Sequence, residues 1–82
     1  MQFEVYKMDY YLYDGEWVEN AAYLMGSFKT VAKNKKVAFS KYLDEKHRIK
    51  FKKNNIIIET GANAYTIIDR KTKKPLYSAI EI

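Results

Sequence analysis

Cysteine is missing from this 82-residue chain, and proline and histidine occur once each. Without thiols there is no disulfide, no thiolate zinc centre and no thiol nucleophile, and the composition fits a reducing compartment. Long aliphatic runs are absent too. The longest, Ile56-Ile57-Ile58, falls far short of the ~20 residues that span a bilayer. The opening Met1-Gln2-Phe3-Glu4-Val5-Tyr6-Lys7 lacks the basic start and apolar stretch of a secretory leader. These features lead to the expectation of a cytoplasmic protein with no membrane partner.

Glycine is scarce, and its placement excludes a further class. Gly15, Gly26 and Gly61 stand too far apart for a phosphate loop or a dinucleotide fingerprint. The single histidine, His47, lies between Lys46 and Arg48. Ser40, Asp44 and His47 have a spacing that places them on one helix face, but nothing in the pattern supplies an oxyanion site, so they read as surface residues near a helix end. Asp44, Glu45 and His47 crowd too closely in sequence to fill a tetrahedral metal shell, and Asp14-Gly15-Glu16 lacks the alternating ligands of a calcium loop. The expectation is no catalytic residue, no metal and no cofactor: not an enzyme.

What is abundant is lysine, unevenly spread. Residues 1–28 carry one basic and five acidic side chains, a net of −4. Residues 29–53 carry ten basic side chains against Asp44 and Glu45, a net of +8. Such a cluster attracts polyanions, although a solvated lysine-rich face would also keep a small domain dispersed. Lysine outnumbers arginine 13 to 2. Lysine is a flexible point charge suited to phosphate, whereas bidentate base reading is mostly an arginine task, so contacts with a nucleic acid would position its backbone. The bias toward lysine, isoleucine, asparagine and tyrosine points to AT-rich coding, as in a low-GC bacterium, its phages or its mobile elements.

The chain is long enough for one core, and it reads as a single domain over 1–82. From Phe3 to Tyr13, Tyr6, Met8, Tyr10 and Leu12 recur at every second position, a strand signal. Asp14-Gly15 supplies a hairpin turn. Trp17 to Phe28 is then the return strand, with Val18, Ala22, Leu24 and Phe28 expected on one side. Thr30 or Asn34 caps a helix whose inward stripe is Val31, Ala32, Lys35, Ala38, Phe39, Tyr42 and Leu43, ending near residue 45, where acidic side chains oppose the dipole. Arg48 to Lys53 alternates as a strand with Ile49 and Phe51 inward, followed by a turn at Asn54-Asn55 or a direct run into Ile56-Ile57-Ile58. Gly61-Ala62-Asn63 is a turn, and Ala64–Asp69 and Leu76–Ile82 are paired strands. The fold class is α+β: an antiparallel sheet of about five strands with one amphipathic helix on one face, in the order β-β-α-β-β-β, with room for one more strand.

Tyrosine is the second excess. Eight of the thirteen aromatic residues fall in the first 28 positions, more rings than so small a domain can bury with their hydroxyls satisfied. Tyr10, Tyr11, Tyr13 and Trp17 surround the expected turn and are candidate partner anchors, although cross-strand packing is their ordinary use. The functional expectation is a noncatalytic binding protein. It would engage nucleic acid or a nucleoprotein through Lys29, Lys33, Lys35, Lys36, Lys41, Arg48, Lys50, Lys52 and Lys53. The alternative is a protein-interaction or inhibitor domain of the phage or mobile-element type, its aromatic hairpin docking while the basic region meets an acidic protein surface. A homodimer formed by edge pairing of Leu76–Ile82 is compatible with either.

Overall fold

The computed structural model describes residues 1–82. The chain runs through β1 (Gln2–Tyr13), β2 (Glu16–Lys29), one 3-10 turn (Ala32–Asn34), α1 (Lys35–His47), β3 (Asn55–Gly61), β4 (Ala64–Asp69) and β5 (Pro75–Glu81). The five strands form one antiparallel sheet in the spatial order β2-β1-β5-β4-β3. This is the expected α+β class, with no sixth strand.

The β1–β2 and β3–β4 turns are made where the sequence tolerates positive φ. Asp14 and Gly15 take φ values of 52° and 79°, the pair of left-handed residues that a two-residue hairpin needs to match strand twist. Asn63, at 53°, closes the β3–β4 turn. The β1–β2 ladder carries two irregularities, between Val5 and Tyr6 and between Asp9 and Tyr10, where Met25 and Asn20 of β2 are the unpaired extra residues. Each extra residue inverts the facing of β2. Val18 and Phe28 therefore lie on the helix side, opposite Tyr11 and Phe3, while Ala22 and Leu24 lie on the other side, opposite Met8 and Tyr6. The expectation that all four share a face fails for that reason.

One face of the sheet holds the core. Phe3, Val5, Tyr65, Ile67 and Ala79 pack against Phe39 and Leu43 of α1, with Met25, Phe28, Tyr42, Ile49 and Ile57 half-buried around them. Phe28 joins strands to helix: its ring stacks on Phe3 at 5.3 Å and Phe39 at 6.3 Å and meets Tyr42 at 5.6 Å. Burying each large side chain contributes about 1.5–3 kcal/mol, and each such ring pair about 0.5–1.5 kcal/mol more. Gly26 (φ 145°) leaves room for Tyr42, because a Cβ there would run into the tyrosine hydroxyl. That hydroxyl donates to the Met25 carbonyl at 3.4 Å and lies 3.0 Å from His47 Nε2.

Of the two expected caps the helix takes Asn34, and it runs past its expected end. Asn34 is the N-cap, without a side-chain capping bond, and Val31 stands outside the stripe, 64% exposed. The far end reaches His47, past the acidic pair, because Arg48 adopts a left-handed cap (φ 57°) whose N–H donates to the Asp44 carbonyl. Lys46 and His47 in the last turn suit the dipole.

Residues 48–54 are not a strand. After the left-handed residue the chain turns back, Ile49 alone returns to the core, and Phe51 is exposed. A turn at Lys52–Asn55 then starts β3: Asn55 N–H donates to the Lys52 carbonyl, and Lys52 N–H donates to Asn55 Oδ1, both at 2.9 Å. The expected alternation had Phe51 inward; the two asparagines form the turn instead. β5 is corrected as well. It lies between β1 and β4, so its backbone has no free edge for a homodimer. The sheet edges are β2 and β3.

β5 pairs with β1 only from Phe3 to Lys7. Beyond that point β1 and β2 run on as a two-stranded arm without a third strand beside it. The arm is tied down through Trp17, whose Nε1–H donates to the Thr72 carbonyl at 2.7 Å and whose ring lies 5.7 Å from Lys74 Nζ. Asp69 shapes the loop that receives it, accepting from the N–H groups of Lys71 and Thr72 at 2.8 and 3.0 Å. No helix is long and apolar enough to cross a membrane.

Candidate functional site

The basic segment becomes a surface because α1 has only one buried stripe. Phe39 and Leu43 point into the sheet, which turns Lys41 to the opposite pole of the helix, with Val37, Asp44 and Glu45 near it. Two hollows flank that pole. One is an open trough of about 520 Å³ between α1 and the 50–51 segment, lined by Lys36, Val37, Lys41, Asp44, Lys50 and Phe51 among others. The other, of about 260 Å³, lies toward β2 and is lined by Phe28, Lys29, Lys41, Tyr42, Glu45 and Lys46 among others. Lys41 belongs to both.

The charge there is barely compensated. The single ion pair of the protein joins Lys41 to Glu45 at 3.8 Å, with both side chains more than half exposed. An exposed pair of this kind is worth at most a few tenths of a kcal/mol and does not cancel the field of its neighbours.

Of the nine basic residues expected to act together, Lys29, Lys36, Lys41 and Lys50 border these two hollows. Lys33 in the 3-10 turn, Arg48 at the helix cap, and Lys52 and Lys53 in the following turn are exposed but line neither. Lys35 is diverted. Its ammonium donates to Asn63 Oδ1 at 2.7 Å, and Asn63 in turn donates to Glu81 at 2.7 Å. That lysine pins the helix start to the β3–β4 turn.

Two contributors escaped the sequence reading. Lys46 faces the β2-side hollow, and Phe51 lies in the trough, 46% exposed.

The aromatic anchors divide. Tyr11 and Tyr13 are 49% and 69% exposed and share the helix-side face of the arm. Tyr10 and Trp17 are on the other face and already engaged, Tyr10 donating to Glu19 at 3.4 Å and Trp17 to Thr72. The Tyr10 hydroxyl is held above its ordinary pKa by partial burial, reinforced by the Glu19 carboxylate. The Tyr6 hydroxyl is raised likewise, chiefly by its 2.9 Å bond to Glu4. Ser40, Asp44 and His47 form no relay, since the hydrogen-bond partner of the imidazole is the Tyr42 hydroxyl. No cluster of three or more His, Asp or Glu side chains forms a metal site. The comparisons return nothing: no protein-family model, curated protein or solved structure matches the chain.

Proposed function

We propose that the protein is a noncatalytic binding protein that engages nucleic acid, free or in a nucleoprotein, through the lysine face around α1. The observation that carries this reading is the placing of Lys36, Lys41 and Lys50 around the trough on one flank of α1 and of Lys29, Lys41 and Lys46 around the hollow on the other, with a single weak ion pair among them. Lysine point charges neutralise phosphates and release condensed counterions, which gives affinity without much sequence preference. The test is fluorescence anisotropy with labelled DNA over a salt series, comparing the native protein with Lys36→Glu/Lys41→Glu/Lys50→Glu. The expected result is binding that weakens steeply with salt and is lost in the triple variant. Binding indifferent to both salt and charge reversal would sink the reading.

A second reading has its own support in the arm. Tyr11 and Tyr13 present exposed rings on one face of a ribbon with no third strand beside it, and tyrosine is enriched at protein interfaces because it joins apolar area to a polar tip. A partner captured from a lysate by the native protein, retained after nuclease treatment and lost with Tyr11→Ala/Tyr13→Ala, would favour a protein target over nucleic acid.

A further inference from the structure

The trough beside α1 combines two chemistries. Lys36, Lys41 and Lys50 line it, and its apolar lining includes Val37, 68% exposed, and Phe51, 46% exposed. Cations alone would serve any polyanion. An accessible aromatic ring among them favours a ligand that offers phosphate charge and an unstacked π-face together. A duplex keeps its base faces stacked on one another, whereas a single strand can turn a base onto a ring while lysines follow its backbone. At about 520 Å³ the trough has room for one or two bases.

Asp44 brings a hydrogen-bond acceptor to the trough. Its carboxylate lines the same trough and forms no ion pair within the protein. A carboxylate only accepts hydrogen bonds, so it matches the exocyclic amino group of a base such as cytosine.

The geometry points to the α1 trough as a binding site for single-stranded nucleic acid, with Phe51 as the stacking platform, Lys36, Lys41 and Lys50 on the phosphates, and Asp44 accepting from a base amino group. This deepens the proposed nucleic-acid reading and rests on it.

The test is anisotropy titration of the intact protein with a fluorescent oligodeoxycytidylate of about twelve nucleotides, a duplex of equal length, and poly-glutamate as competitor. Three phosphate contacts give a slope of log affinity against log salt of about −2 for the single strand. Phe51→Ala and Phe51→Leu are expected to weaken single-strand binding about tenfold, with the salt slope and duplex binding unchanged. Phe51→Trp keeps the affinity, and its added emission is quenched by the oligonucleotide. Phe51 is exposed in a loop, and Phe51→Leu retains apolar bulk, so a fold check by circular dichroism separates lost stacking from lost structure. Equal affinity of all Phe51 variants, or duplex bound as tightly as single strand, overturns the stacking site while leaving the lysine face standing. Displacement by poly-glutamate as effective as by oligonucleotide assigns the trough to acidic peptides and overturns it as well. Binding to none of the polyanions removes both this inference and the proposed function.

Discussion

The two halves of the β1–β2 hairpin have the same backbone pairing and opposite surroundings. Near the root, Phe3 and Val5 are fully buried beneath α1 and flanked by β5. Near the tip, Leu12 is 60% exposed and Tyr13 69%. The ladder hydrogen bonds run through both halves, so they do not account for the difference. A two-stranded ribbon is at best marginal in water, and a third strand with an apolar cover makes the root stable. The tip persists because it grows from that root and because Trp17 ties it to the β4–β5 loop. The root is thus a folding unit, and the tip is an extension of it, free to present side chains.

Substitutions that separate the two halves test this view. Phe39→Ala removes a fully buried ring from the contact between helix and root. It should cost about 3–5 kcal/mol, a large share of the ~4–12 kcal/mol expected for a chain of this size, and root and tip should unfold together in urea. Gly26→Ala places a methyl against the Tyr42 hydroxyl at a positive φ and should cost about 1–3 kcal/mol, visible as a lower thermal midpoint. If Gly26→Ala is neutral, the seating of Tyr42 is not what holds helix to root.

Smaller effects belong to the tip. Trp17→Ala deletes the hydrogen bond to Thr72 and the contact with Lys74, a loss of about 1–2 kcal/mol. Amide exchange should accelerate from residues 10 to 20 while the β1–β5 amides keep their protection; equal acceleration everywhere would mean that arm and root are one cooperative unit. Asp69 acts on the same anchor from below. Its carboxyl lies below the ordinary range, chiefly through the Thr72 N–H and next the Lys71 N–H. A depressed folded-state pKa means that this contribution is present above the unfolded value of about 3.8 and is lost as pH falls through the lower folded value. Asp69→Asn should therefore reduce the thermal midpoint at neutral pH, with the difference from the native protein fading as pH falls below the ordinary carboxylate range and through the folded value. The smallest effect is alkaline. Tyr6 and Tyr10 have raised pKa values, so what their neutral forms contribute is full below about pH 10 and declines as pH rises through the folded values. Tyr6→Phe/Tyr10→Phe should flatten the alkaline limb of the stability profile.

Much of the fold was legible because it depends on neighbours in sequence. Asp14-Gly15 and Asn63 mark turns through their tolerance of positive φ, and the period of two in β1 marks a strand. Legibility failed where one residue changes the phase. Met25 and Asn20 invert β2, and Arg48, a residue type that rarely takes a left-handed conformation, turns the chain so that Phe51 leaves the core. No composition rule announces either event, because each is stabilised by contacts made elsewhere: Tyr42 over Gly26, and Ile49 returning to the core.

The sequence by itself determined the α+β class, the uneven charge and the absence of thiol chemistry, since all three follow from residue type and local spacing. Tertiary structure decided the rest. It placed β5 at the sheet centre, so that the chain's last strand is paired on both sides. It sent Lys35 to Asn63 and away from the other lysines, and it left Lys36, Lys41, Lys50 and Phe51 around one trough. Those outcomes depend on which distant groups meet when the helix buries Phe39 and Leu43, and the energy of that burial is a property of the assembled sheet, not of any segment alone.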